Sequence, residues 1–242
     1  MRILPLAVLT AALVAASARE ASAIPILQLY VEGGSYDAGS ETWVIDAGGT
    51  IRLWTIGNVA GEGGKGTIYD VRLSIAYDAG ASPTVTLTPS TTGGYGGYTD
   101  PSTSAAPTYL QTRTDGSAPI MGDGGSLAGH GVFGPGTWWQ EYLLGDFSLT
   151  DSPIADFITS FPAAPSETKG QINVYEINSS GFTGTLHFDL YDHYLSRNKV
   201  KATFAPFSHD GEGNVVPEPG TLMLLGAGVA GLAARRRRLA RR

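Results

Sequence analysis

Between Thr67 and Tyr77 the sequence alternates residue by residue. Tyr69, Val71, Leu73, Ile75 and Tyr77 fall on one side of an extended chain, and Asp70, Arg72 and Ser74 fall on the other. That period of two predicts a strand with a dry face and a wet face, and no stretch of comparable length in the body has helical spacing. Further strand-length apolar or alternating runs cover 26–31, 41–45, 50–56, 84–88, 138–147, 171–177, 183–191 and 200–204. Turn chemistry separates them, as in Asp46-Ala47-Gly48-Gly49 and Asn178-Ser179-Ser180-Gly181. Strands so spaced predict an all-β fold, an antiparallel β-sandwich of jelly-roll type, with an immunoglobulin-like order as the alternative. Residues 89–107, almost wholly Gly, Ser, Thr, Pro and Ala, read as a long loop outside the core. Asp151 to Phe157 reads as a short helical turn.

Composition narrows the chemistry. The 242 residues include no cysteine, which removes disulfides, thiolate metal sites and thiol catalysis. Both ends differ from the body. Arg2 precedes an apolar run over 3–18, and Ala21-Ser22-Ala23 supplies a small-residue cleavage pattern, so residues 1–23 read as a signal peptide cut by signal peptidase after Ala23. At the other end an apolar run over 221–234 is followed by Arg235, Arg236, Arg237, Arg238, Arg241 and Arg242. At about 1.5 Å per residue that run covers about 21 Å, short for a bilayer, but long Arg side chains let a short transmembrane helix reach both interfaces. Clustered arginine stays cytoplasmic, which places the body outside. Gly226-Ala227-Gly228-Val229-Ala230-Gly231 spells a dinucleotide-binding fingerprint, but the strand, helix and acidic partner that such a site requires are missing.

Pro217-Glu218-Pro219, the Gly-rich apolar segment and the terminal arginines, in that order, resemble the PEP-CTERM sorting signal of Gram-negative bacteria, here residues 215–242. The same tail is sometimes labelled an ice-binding protein C-terminal domain. The resemblance implies an exosortase as partner, transient anchoring in the inner membrane, and delivery to the cell surface or an exopolysaccharide matrix of the biofilm kind. The body, residues 24–214, is similar in several short segments to a group called choice-of-anchor N, among them Gln28-Leu29-Tyr30, Phe188-Asp189-Leu190-Tyr191 and Pro206-Phe207-Ser208-His209-Asp210. That likeness implies no chemistry.

From Ile24 to Pro217 there are eight Lys and Arg against twenty Asp and Glu, a formal charge of −12 that the −6 of the whole chain conceals. Such a body repels nucleic acid and suits divalent cations. Asp210, Glu212 and Asn214 place oxygen atoms at alternate positions and are the calcium candidate, against a reading of 210–214 as a flexible spacer. His187, Asp189, Tyr191 and His193 share a strand face, which reads first as a polar edge and second as a metal site. No nucleophile elbow or phosphate loop is present, and no catalytic residue is assigned. Trp43, Trp54, Trp138, Trp139, Tyr95 and Tyr98 are candidate sugar-stacking rings, with one of the adjacent tryptophans free to face solvent. The sequence thus points to an exported, non-enzymatic structural or binding protein with no cofactor other than calcium. The alternative is a secreted carbohydrate-active hydrolase using Glu141 and Asp146 as its carboxylate pair.

Overall fold

The computed structural model describes residues 24–90, 94–95, 98–99, 105–159, 167–179 and 181–215. In chain order the strands are β1 (Leu27–Val31), β2 (Ser35–Asp37), β3 (Thr42–Ala47), β4 (Thr50–Gly57), β5 (Ile68–Asp78), β6 (Thr86–Pro89), β7 (Gly94–Tyr95) and β8 (Tyr98–Thr99). There follow β9 (Thr108–Arg113), β10 (Thr137–Phe147), β11 (Ser152–Pro153), β12 (Thr168–Asn178), β13 (Gly184–Ser196), β14 (Lys199–Phe204) and β15 (Asp210–Val215). One 3-10 turn, Phe207–His209, leads into β15. Asp151 to Phe157, expected to be helical, instead supplies the short strand β11 and runs on into a turn at Phe157. Pro153 removes one backbone donor from any helix there.

Two sheets pack face to face. The smaller has the order β1-β4-β12-β11, with β6 also on β12. The larger runs β2-β3-β15-β13-β5-β10-β9, with β14 also on β13. One pair departs from the antiparallel expectation, because β15 lies parallel to β3, Gly211 opposite Trp43 and Gly213 opposite Ile45. No hairpin joins these two strands, so connectivity leaves their relative direction open.

The core lies between the sheets, where Leu27, Leu29, Val31, Ile51 and Leu53 of β1 and β4 join Leu73, Ile75, Phe188 and Leu190 of β5 and β13 in one buried cluster. Each such side chain contributes about 1.5–3 kcal/mol on leaving water. β15 enters this interface through its glycines. A Cβ on Gly211 would meet Val31 and Phe188, and one on Gly213 would run into Ile51. Residues 210–214 are therefore not a spacer: the glycines that suggest one are the positions where the opposite sheet needs room.

Each sheet has part of its outer face covered. Over the smaller sheet, Tyr30 and Trp54 pack with Phe157 and Tyr98 at ring-centroid distances of 4.6 to 6.3 Å. Gln28 ties this cover down, donating to the Ala155 carbonyl and accepting from the Phe157 N–H. Tyr98, expected in an open loop, is thus buried. Over the larger sheet the cover is the segment 114–136. Trp139 donates from its indole nitrogen to the Ser117 carbonyl, and Gly122 sits so close to His193 and Asp192 that a Cβ has no room. The polar side of β5, expected to be wet, is so at exposed Asp70 and partly at Arg72, but Ser74 is wholly buried against Asp189.

Candidate metal centre

The outer face of the larger sheet collects charge that the strand register makes unavoidable. On β13, His187, Asp189 and Tyr191 point outward at two-residue steps, opposite Ala76, Ser74 and Arg72 of β5. Pairing of Phe188 with Gly211 sets Asp210 beside Asp189, and Glu212 opposes His187. The covering segment adds His130, whose ring stacks on Phe207 at 4.3 Å and meets Phe133 edge-on.

Four of these side chains converge: one ligand atom from each of His130, His187, Asp189 and Asp210 lies within 4.8 Å of all the others. The Nε2 atoms of His130 and His187 are 2.9 Å apart. From Asp189 Oδ1 the two imidazole nitrogens stand at 3.1 and 3.5 Å, and from Asp210 Oδ2 at 3.6 and 3.8 Å. His130 is the most exposed of the four side chains, at 10 percent. Around them sits a second layer. His130 Nδ1 contacts the Ala128 carbonyl at 3.3 Å, His187 Nδ1 contacts Glu212 Oε1 at 3.4 Å, and Ser74 donates to the other oxygen of Asp189 at 3.1 Å. Both oxygens of Asp210 are buried and accept no hydrogen bond among the described residues.

The protonation pattern of these side chains by themselves reflects crowded negative charge. Burial opposes a charge on His187, but hydrogen bonds to Asp189 and Glu212, with the field of Asp189 and Asp210, raise its pKa to about 10. Burial pushes Asp189 up, yet its contacts with the two histidines hold it at about 2. Asp210 rises well above the usual carboxylate range through burial and the neighbouring Asp189 charge.

Of the expected site residues, only some come together. His187 and Asp189 enter the cluster, whereas Tyr191 donates to Glu141 and His193 pairs with Asp192 and stacks on Tyr69. Asp210, Glu212 and Asn214 stand in a row with separate partners: Asp210 faces the two histidines, Glu212 faces His187, and Asn214 accepts from the Thr185 hydroxyl and donates to Asp46. Glu141 is buried and accepts from Arg72, Gln111 and Tyr191, while Asp146 is exposed and accepts from the Asp70 N–H. Trp43, Trp54, Trp139 and Tyr98 are buried, and Trp138 packs partly buried against the core, so none of these rings is a free stacking platform. Sequence reasoning missed His130. Its only signal is a lone histidine in the glycine-rich stretch 129–136, which ordinarily means a loop.

Beyond β15 the described residues end, and the comparison with known families takes over. The PEP-CTERM protein-sorting motif matches residues 215–238. The chain carries a PEP-CTERM sorting signal. That motif implies sorting by an exosortase, with export and C-terminal membrane anchoring before processing. No curated protein and no solved structure matches the chain. Ala21, Ala23, Pro217-Glu218-Pro219, residues 221–234 and the six terminal arginines all lie outside the described residues. Among those that are described, no helix is long and apolar enough to cross a membrane.

Proposed function

We propose that this PEP-CTERM protein serves as a structural or binding module of the Gram-negative cell surface or exopolysaccharide matrix, with its β-sandwich as the delivered part. The observation that carries the reading is the sorting motif at 215–238, which begins where β15 ends at Val215. On this reading signal peptidase cuts after Ala23, the apolar span holds the protein in the inner membrane, and exosortase removes the arginine-tipped tail. The body's charge of −12 supports residence outside the cell, since it keeps the module soluble and away from anionic lipid.

The body is proposed to be non-catalytic. Glu141, the better placed of the two nominated carboxylates, is fully engaged by Arg72, Gln111 and Tyr191, as a structural anchor would be. With Trp43, Trp54 and Trp139 buried and Trp138 packed against the core, matrix contact falls to the loops and to exposed side chains such as Tyr109, Leu110 and Ile120. Mass spectrometry of protein recovered from the producer's surface tests the sorting route. Peptides ending upstream of Arg235 are expected, and material retaining Arg242 after release would overturn it. Retention of the protein by the producer's own exopolysaccharide tests the matrix role, and failure to bind would leave contact with other surface proteins.

A further inference from the structure

The two histidines on the outer face of the larger sheet aim the same nitrogen at each other. In each ring Nδ1 faces an atom that can only accept, the Ala128 carbonyl or the Glu212 carboxylate, so Nδ1 carries a proton and Nε2 is the position left for a second proton or a metal ion. Two such nitrogens 2.9 Å apart need a cation between them, which is the proton of charged His187 when the side chains stand alone and a metal ion when one displaces it. Two aspartate oxygens close on the same point, one from a carboxylate that is buried without any hydrogen bond. Buried carboxylates are ordinarily paired, hydrogen-bonded or metal-bound.

The dimensions discriminate among cations. Four donors bonded at about 2.0–2.1 Å to a tetrahedral ion stand about 3.3 Å from one another. Five of the six separations, 2.9, 3.1, 3.5, 3.6 and 3.8 Å, bracket that value, and the sixth, between the two carboxylates, lies within 4.8 Å. Imidazole nitrogen is the wrong donor for calcium and magnesium, which take oxygen ligands. Glu212 and Ala128 behind the histidines and Ser74 behind Asp189 complete the outer layer that orients ligands in metal sites.

We propose that His130, His187, Asp189 and Asp210 bind one divalent first-row transition metal, zinc fitting best, as a clasp that fastens the 114–136 cover and β15 onto β13. Four protein ligands fill a tetrahedron and leave no open position for a substrate, which makes the role structural. The ligands are nitrogen and oxygen only, so the clasp tolerates the oxidising surroundings of an exported protein. A cleft of about 220 Å³ lined by His187, Glu212, Gly131 and Thr137 brings solvent to the site's edge and gives the ion an entry. The clasp ends on the last strand before the sorting motif and so joins the folding of the body to the point where the tail departs. This inference does not depend on the matrix role, and its test leaves that role untouched.

The test uses the full chain in detergent, stripped with chelator and titrated with cobalt(II) alone, whose visible absorption reports coordination geometry. One equivalent is expected to bind with intense tetrahedral bands, one equivalent of zinc to displace it, and millimolar calcium to leave it in place. Asp210→Asn and His130→Gln should abolish stoichiometric binding, and Glu212→Gln should weaken it by about 10–100-fold. His193→Gln, outside the cluster, should bind as the parent does. Near-UV circular dichroism checks that each variant is folded, and the His130 variant, altered in a cover rather than a strand, serves if the Asp210 variant is not. Absence of stoichiometric binding, displacement by calcium, or binding that survives both ligand substitutions would overturn the proposal.

Discussion

Trp54 on β4 and Asp189 on β13 occupy matching places, each on the outward face of an interior strand and each sealed under a covering segment. The chemistry beneath the two covers is opposite. Trp54 meets Tyr30, Tyr98 and Phe157, so its cover is held chiefly by apolar burial, with Gln28 adding two hydrogen bonds to its backbone. Asp189 meets two histidines and stands beside a second aspartate, so its cover repays the cost of desolvation only if charges are matched at close range. The first arrangement stabilises by area; the second stabilises on condition that something balances it. One face of the sandwich is thus a second core, and the other is a site.

The sharpest attempt to break this contrast is Trp54→Ala. It should cost about 3–5 kcal/mol in urea unfolding, whatever metal is present. If the loss instead varied with zinc, the two covers would not be energetically separate. Removal of metal comes next. If zinc stands at a hundred times its dissociation constant, chelation should lower stability by about 2.7 kcal/mol in the parent and leave His130→Gln unchanged, as read by thermal unfolding. Equal melting temperatures with and without chelator would reduce the polar face to an ordinary ion-pair network.

A smaller effect is expected at Glu141→Gln, which removes charge from under the polar cover but keeps the shape. Arg72 is a third exposed, which softens the loss of its partner, so a cost of about 1–3 kcal/mol is expected, again by urea unfolding. Zinc binding should be unchanged, which separates this network from the clasp. The smallest effect lies outside both covers. Exposed Asp37 accepts from the Gly39 N–H and the Ser40 hydroxyl, which hold its carboxyl below the usual value of 3.8. Its contribution is present above that value and is lost as pH falls through the lower folded-state pKa. Carbon-detected NMR titration should find the depressed value, and Ser40→Ala should move it back upward.

Much of the sandwich was legible because its central strands follow simple periods. The segments read at 50–56, 67–77 and 171–177 coincide within a few residues with β4, β5 and β12. Illegible were strands whose residues answer to a neighbour rather than to solvent. Asp210-Gly211-Glu212-Gly213-Asn214 looks like a turn, yet it pairs on both sides, its glycines yielding to Ile51 and Val31 and its acids facing the cover. The wet face predicted for β5 holds at Asp70 and fails at Ser74 for the same reason: alternation reveals two faces but not what settles on part of the second. The candidate site was half visible. His187 and Asp189 announce themselves two residues apart on one strand, but nothing local ties them to His130, 57 positions upstream, or to Asp210.

Sequence by itself determined the sorting signal and the class of fold. A sorting signal is read as a linear string, and a period of two is a property of the extended chain, so both survive without tertiary information. Tertiary structure decided which outward faces are buried and which charges meet. Those depend on distances between segments far apart in the chain, set by strand register and by the packing of Phe207 against His130. The four donor atoms of the clasp come from three separate segments, and only the folded sandwich brings them within 4.8 Å.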